Sequence, residues 1–554
     1  MRKLFFFLFT LSMLSVRAQN RSDISELSQP RLVVGLVIDQ MRWDYLTRYQ
    51  DRYSDGGFRR LMREGYNCNR TLINYIPAIT AVGHTSVYTG SVPAMTGIVG
   101  NNFYINRQPV YCTSDTTVLG LGTLDDNGSP LARASAGMMS PRNLLVTTMT
   151  DQLRLATNFR SKVIGVALKD RAAILPAGHA ANAAYWMDSK SYNFVSSTYY
   201  MDKLPEWVNT FNSRHLGAQY VNQNLAIKNK RIKGGPWPLL HDAKTYVQSA
   251  PAGQKWESAV GTDLKLSPWG MTITFDMARA AIEGEDLGNN PNHVPDFIAV
   301  SISSTDMIGH KVSPNSIWME DTYLRLDRDI ESFLNYLDSC VGKGNYLFFL
   351  TADHAGSHNP VFRQEHNIPG DTWKGALVQE DLTSHLRTRF SNLPDKAVMS
   401  LTNMQVHFSD ATHALSNYAE IEKAAIDYLN SRQDVAYAFS TPRIPDYIPE
   451  PIRTYAINGY CPHRSGDIQI IFQSRLTEDY SSAKDLRSPD HIYKGTTHSL
   501  WNPDDTHIPL IFFGWNTPHA WDNNTHYITD IAATITAMLN IQQPNACVGT
   551  AIEF

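Results

Sequence analysis

Long apolar runs recur along the chain, and several of them stop at an ionisable residue. "RLVVGLVID" (Arg31 to Asp39), "KVIGVAL" (Lys162 to Leu168), "DFIAVSI" (Asp296 to Ile302), "NYLFFLTADH" (Asn345 to His354) and "HIPLIFFG" (His507 to Gly514) are continuous rather than alternating. A strand that is apolar on both faces needs cover on both, which is the pattern of a parallel sheet. Between these runs the period lengthens. In "SIWMEDTYLRLDRDIESFLNYLDS" (Ser316 to Ser339), Trp318, Tyr323, Leu326, Ile330, Phe333 and Leu337 fall at helical spacing. That stripe predicts a core-facing helix and carries no chemistry. Strands alternating with helices predict an α/β fold: a largely parallel central sheet with helices on both faces.

Two stretches interrupt the alternation. From about Asn182 to Pro268 the chain is rich in Tyr, Trp, Asn and Lys, and from Gly356 to Tyr493 helices such as "NYAEIEKAAIDYLNS" mix with short strands. Both are read as inserted cap segments, about 182–268 and 356–493, on a single catalytic domain spanning 19–554. The first eighteen residues, "MRKLFFFLFTLSMLSVRA", combine a basic start, a short apolar run and a small-residue cut. They predict a secretory signal peptide, too short to span a bilayer comfortably. No cysteine lies near the cut and no later run of about eighteen apolar residues follows, so the mature protein is expected to be exported without a membrane anchor.

Composition changes this picture little. The 43% apolar and 18% charged shares are those of an ordinary globular protein, and a net charge of -4 offers no electrostatic case for nucleic acid or an acidic membrane surface. Cys68, Cys112, Cys340, Cys461 and Cys547 are too scattered for a thiolate metal site, so any metal here should use oxygen and nitrogen ligands. In an exported protein, one or two structural disulfides are the expected role of these cysteines.

The ends of the apolar runs carry the candidate chemistry. Open α/β sheets bind ligands beyond the carboxyl ends of their strands. Asp39, the "SSTDMIGH" segment with Asp306 and His310, and "TADH" with Asp353 and His354 all stand there. Asp306 and His310 are one helical turn apart, so both can meet one ion; alternatively Asp306 caps a helix and His310 faces solvent. In "NYIPAITAVGHTSVYTG", a helix ending at Gly90 would place Thr80 at its N-terminus, where free N–H groups favour an anion. Thr80 is then either an N-cap or a nucleophile.

"VIDQMRWDYL", "PAITAVGHTSVYTG", "GIVGNN", "ALKDRAAILPAGH", "SSTDMIGH", "TADHAG" and "GTTHSLWNPDDTHIPLIFFG" follow one another across nearly the whole mature chain. Together they resemble the alkaline phosphatase superfamily, and more narrowly its secreted bacterial phosphate-irrepressible members with a threonine nucleophile, relatives of the nucleotide pyrophosphatase/phosphodiesterases. The resemblance implies two zinc ions. One would be held by Asp39, Asp353, His354 and the Thr80 oxygen, the other by Asp306, His310 and His498. His507 competes for the last place, and His498 is preferred because it matches the family's "GxTH" position. The resemblance further implies a phosphothreonine intermediate on Thr80. Asn101, Lys169 and Arg171 would bind the phosphoryl oxygens.

Lys169 and Arg171 bear on substrate class. A phosphate monoester carries more charge than a diester, so two added cations should favour monoesters; read without the resemblance, the pair is a solvated strand end. The expected activity is therefore alkaline phosphatase acting on small phosphate monoesters as a monomer, with a phosphodiesterase or nucleotide pyrophosphatase as the alternative. A sulfatase would need a Cys or Ser followed by x-Pro-x-Arg, and "CPHR" at Cys461 lacks that spacing. Asp170 and His179 are left unassigned. Many relatives have glycine after the last zinc histidine, whereas this chain has Ser499, which could shift the loop carrying His498.

Overall fold

A computed structural model describes residues 29–125, 127–221, 240, 263–491, 493 and 495–554. The expected signal peptide and much of the first expected insertion lie outside them. A ten-stranded sheet forms the centre, in the order Ala520–Tyr527, Tyr66–Leu72, His507–Gly514, Tyr346–Thr351, Leu32–Ile38, Asp296–Ile302, Val163–Ala167, Ala183–Met187, Phe194–Ser197 and Gly120–Leu121. The five strands from Tyr346–Thr351 to Ala183–Met187 run parallel. Every residue of Leu32–Ile38, Val163–Ala167, Asp296–Ile302 and Tyr346–Thr351 is buried, because helices cover both faces. The expected stripe helix spans Ile317–Leu337 and buries all six of its stripe residues.

Two expectations need correction. His507–Gly514 pairs antiparallel with Tyr346–Thr351, since an unbroken apolar run reports burial on both faces and not strand direction. The first insertion does not begin at residue 182: Ala183–Met187 and Phe194–Ser197 continue the central sheet, their aromatic and polar residues being those of its flank. The second stretch does form a separate layer. It holds a four-stranded antiparallel sheet, Val398–Thr402, Gln405–Phe408, Ile468–Phe472 and Val435–Ser440, packed with the helices Gly375–Arg389 and Tyr418–Asn430 around its own apolar cluster. The expected disulfides are absent: all five cysteines are free. Cys68 and Cys112 are instead core thiols, both pushed up by burial, Cys112 to about 12, and they act as small apolar side chains.

Register places the chemistry. Val37 is level with Thr351 and Ser301, and Ala167 is level with Ser301. Two residues further along each strand, Asp39, Asp353, Ser303 and Lys169 therefore emerge side by side at the carboxyl edge. The helices Thr80–Thr89, Ser304–Val312 and Asp170–Ala177 begin beside this edge.

Candidate active site

Two groups of potential metal ligands converge at the carboxyl edge: Asp39, Asp353 and His354, and Asp306, His310 and His498. The rings of His354 and His498 stack at 3.6 Å and bring the groups into contact. His507 stands apart, its Nε2 2.9 Å from the Asn69 carbonyl and its ring stacked on Trp43. Asp306 makes no cap: it sits in the first turn of Ser304–Val312 with Oδ1 3.0 Å from His310 Nε2.

Each histidine is held by the nitrogen turned away from the cluster. His310 Nδ1 donates to the Thr496 carbonyl at 2.8 Å, His354 Nδ1 to the Ala355 carbonyl at 2.9 Å, and His498 Nδ1 to the Ala78 carbonyl at 2.8 Å. This fixes the tautomer and leaves each Nε2 lone pair for a ligand. Asp39 Oδ1 and Asp353 Oδ2 are buried without a hydrogen bond, a cost that a bound cation would remove.

Electrostatics point the same way. Lys169 Nζ lies 2.6 Å from Asp39 Oδ2 and 2.6 Å from Asp306 Oδ2, so one ammonium bridges a carboxylate of each group. Burial and the Asp353 carboxylate push Asp39 well above the usual carboxylate range. Burial opposes ionisation of Asp306 too, yet His310 and Lys169 hold it well below that range. Burial and His354 depress His498. Three carboxylates with one ammonium leave a buried surplus of negative charge, and clusters of Asp and His at this spacing suit divalent cations.

Thr80 opens the helix Thr80–Thr89, whose every residue is buried and which ends at Gly90 in the left-handed region. The N-cap is Ile79, so the Thr80 hydroxyl is not spent on capping; Oγ1 lies 3.4 Å from His354 Nε2. Asn101 accepts the Ala81 N–H on Oδ1 at 3.0 Å, which leaves its Nδ2 as the outward donor. Arg171 donates to the Tyr111 hydroxyl at 3.0 Å, and Tyr111 donates to Asp170 at 3.0 Å, so Asp170 orients the guanidinium through Tyr111. His179 lies 3.2 Å from Asp151 and 3.1 Å from the Leu144 carbonyl, occupied in holding a loop.

Residues 33–500 match the family described as type I phosphodiesterase / nucleotide pyrophosphatase. The chain belongs to this family. Within it, the chain is 44% identical over 95% of both sequences to a protein of Myroides odoratus named a calcium-transporting ATPase. It is 43% identical, over 95% of this chain and 94% of the relative, to alkaline phosphatase PafA of Elizabethkingia meningoseptica. A crystal structure of wild-type PafA superposes with a TM-score of 0.84 at 42% identity, covering 95% of this chain and 98% of that one.

This family member also uses residues that sequence reasoning missed. Gln40, at φ 63°, donates its backbone N–H to Asp353 Oδ1 at 3.2 Å and its Nε2 to Asp306 Oδ1 at 2.6 Å, joining the two groups. His84, one turn after Thr80, sits 2.9 Å from the Thr80 carbonyl, 3.1 Å from Asp353 Oδ2 and 2.7 Å from Ser301 Oγ. Asp505 accepts from Ser357 Oγ at 2.5 Å and from the Leu500 N–H at 2.8 Å, tying the His354 loop to the His498 loop. The i, i+4 spacing of Thr80 and His84 was a usable signal; Gln40 offered none because its partners are distant in sequence, and the tie made by Asp505 offered none because Ser357 is distant from it. Ser499 holds φ 108° behind His498.

Proposed function

We propose that the chain is a zinc-dependent alkaline phosphatase that hydrolyses small phosphate monoesters through a phosphothreonine at Thr80. The observation that carries this reading is the Lys169 ammonium, set between one carboxylate of each ligand group, with Arg171 two residues on in the first turn of the helix Asp170–Ala177. Two cations beyond the metals match the extra charge of a monoester. Asp39, Asp353, His354 and Thr80 would hold one zinc ion and Asp306, His310 and His498 the other; bound there, the ions supply positive charge to the attacking and departing oxygens.

The chain's own residues do the rest. The helix N-terminus at Thr80 favours the developing negative charge, and the Thr80 oxygen attacks phosphorus in line with the departing alcohol. Asn101 Nδ2 donates to one nonbridging oxygen, and Lys169 and Arg171 reach the others. Water then cleaves the threonyl ester, releasing inorganic phosphate and restoring the hydroxyl. The later part of the first insertion, beyond the strand Phe194–Ser197, and segment 356–493 would cap the site, and residues 1–18 would direct a monomeric enzyme out of the cytoplasm. Among the described residues no helix is long and apolar enough to cross a membrane.

The family description favours a second reading, a phosphodiesterase using the same site. Hydrolysis of phenyl phosphate and methyl phenyl phosphate by the wild type and by Lys169→Ala/Arg171→Ala separates the two. Loss of two charge-assisted hydrogen bonds should cost the monoester on the order of 10²-fold or more, and the diester far less. A wild type that prefers the diester, with equal losses in the variant, would favour the phosphodiesterase.

A further inference from the structure

Beside the second ligand group the structure opens a cavity of about 360 Å³, lined by His310, Lys311, Tyr480, His491, Tyr493 and Thr497 among others. Tyr480 is 59% exposed there, a large ring left open to the cavity. Its hydroxyl lies 2.9 Å from Ser499 Oγ. Ser499 directly follows His498, is fully buried, and holds φ 108°, a region that strains serine and leaves glycine unstrained. Its backbone is fixed by the Ala78 N–H, which donates to the Ser499 carbonyl at 3.3 Å. Strain of this kind persists only where surrounding contacts impose it, and it concentrates at sites of function. The side chain that glycine would lack is here the anchor of Tyr480.

In an in-line displacement the leaving oxygen departs on the side opposite the nucleophile. Thr80 Oγ1 lies against His354 of the first group, and His310 of the second group lines this cavity, which puts the cavity on the side a departing oxygen would face. We infer that Tyr480, anchored by Ser499, is a platform on which a planar leaving group stacks, so that the favoured monoesters carry an aromatic ring or a nucleobase. This inference rests on the phosphatase reading above.

The test compares kcat/KM for phenyl phosphate, adenosine 5′-monophosphate and ethyl phosphate in the wild type and in Tyr480→Ala, Tyr480→Phe and Ser499→Gly. Comparing substrate ratios between variants cancels their intrinsic reactivities. Loss of one stacking contact should lower the phenyl-to-ethyl ratio about three- to tenfold in Tyr480→Ala, mainly through KM. Tyr480→Phe keeps the ring and should recover part of that loss. A parallel fall with the nucleotide extends the platform to nucleobases, whereas a fall confined to phenyl phosphate assigns it to rings carried on the ester oxygen. Ser499→Gly should lose part of the selectivity while unfolding at or above the wild-type midpoint, since glycine relieves the strain; a purely structural serine would not separate the two readouts. A Tyr480→Ala ratio within twofold of wild type overturns the platform, and an unchanged Ser499→Gly ratio overturns the anchoring role. If the wild type hydrolyses none of the three esters, the phosphatase reading itself fails.

Discussion

Gly83→Ala sets two effects against each other. Gly83 lies within the helix that begins at Thr80, where alanine gains about 0.8–1 kcal/mol of intrinsic helix preference over glycine. A Cβ at this position, however, would lie 2.6 Å from the carbonyl carbon of Asp353 and 2.7 Å from its Cβ, with the carbonyl oxygen nearer still. Ordinary contact begins near 3.4 Å, so clearing the carbonyl requires the helix to withdraw by more than an ångström. The obstacle is the backbone of a buried strand end, which cannot rotate away as a flexible side chain would. Overpacking of this kind costs about 1–3 kcal/mol, enough to outweigh the helix preference. Withdrawal also carries Thr80 away from His354, now 3.4 Å from it, and misplacement on this scale costs about 10²-fold in rate. The assay is a urea midpoint together with kcat/KM for phenyl phosphate. A variant at least as stable as wild type, with activity within threefold, would refute the claim that close approach at Gly83 sets the position of the nucleophile.

Two other outcomes follow from the structure. Removing metal with a chelator should abolish phosphatase activity and lower the unfolding midpoint, because Asp39, Asp306 and Asp353 are left buried around Lys169 alone, and added zinc should restore both; a chelated protein with an unchanged midpoint would count against the ligand assignment. Away from the site, burial and the Asp276 carboxylate raise Asp329 to about 7. A carboxyl raised on folding stabilises the native state below its unfolded value and loses that contribution as pH climbs to about 7, so the wild-type midpoint should fall between about pH 4 and 7 and level off above, and Asp329→Asn should flatten that fall. Equal slopes in the two proteins would argue against a protonated Asp329.

The candidate site was largely legible where a residue's role depends on its own position in the chain. Asp39, Asp353 and His354 end strands whose unbroken apolar runs announce burial, and Asp306 and His310 share a helical face by spacing alone. Lys169 could be read as a solvated strand end or as part of the site; only the neighbouring strands, level with it at Ser303 and Asp39, show that its ammonium is buried between two carboxylates. Gln40 gave no signal because its partners lie more than two hundred residues away. Five cysteines in a chain expected to be exported suggested disulfides, whereas in the folded chain all five stand free, Cys340 of them at the surface.

By itself, the sequence determined an α/β sheet with acids and imidazoles at its carboxyl edge, since apolar runs and helical periods are local consequences of burial. It also determined membership of a phosphoesterase family, through motifs held in order. Strand direction at His507–Gly514, the bridging ammonium, the tie at Asp505 and the tyrosine held by a strained serine were decided by tertiary structure alone. Each depends on distances between segments remote in the chain, and no local preference encodes such a distance; packing of the whole sheet fixes it.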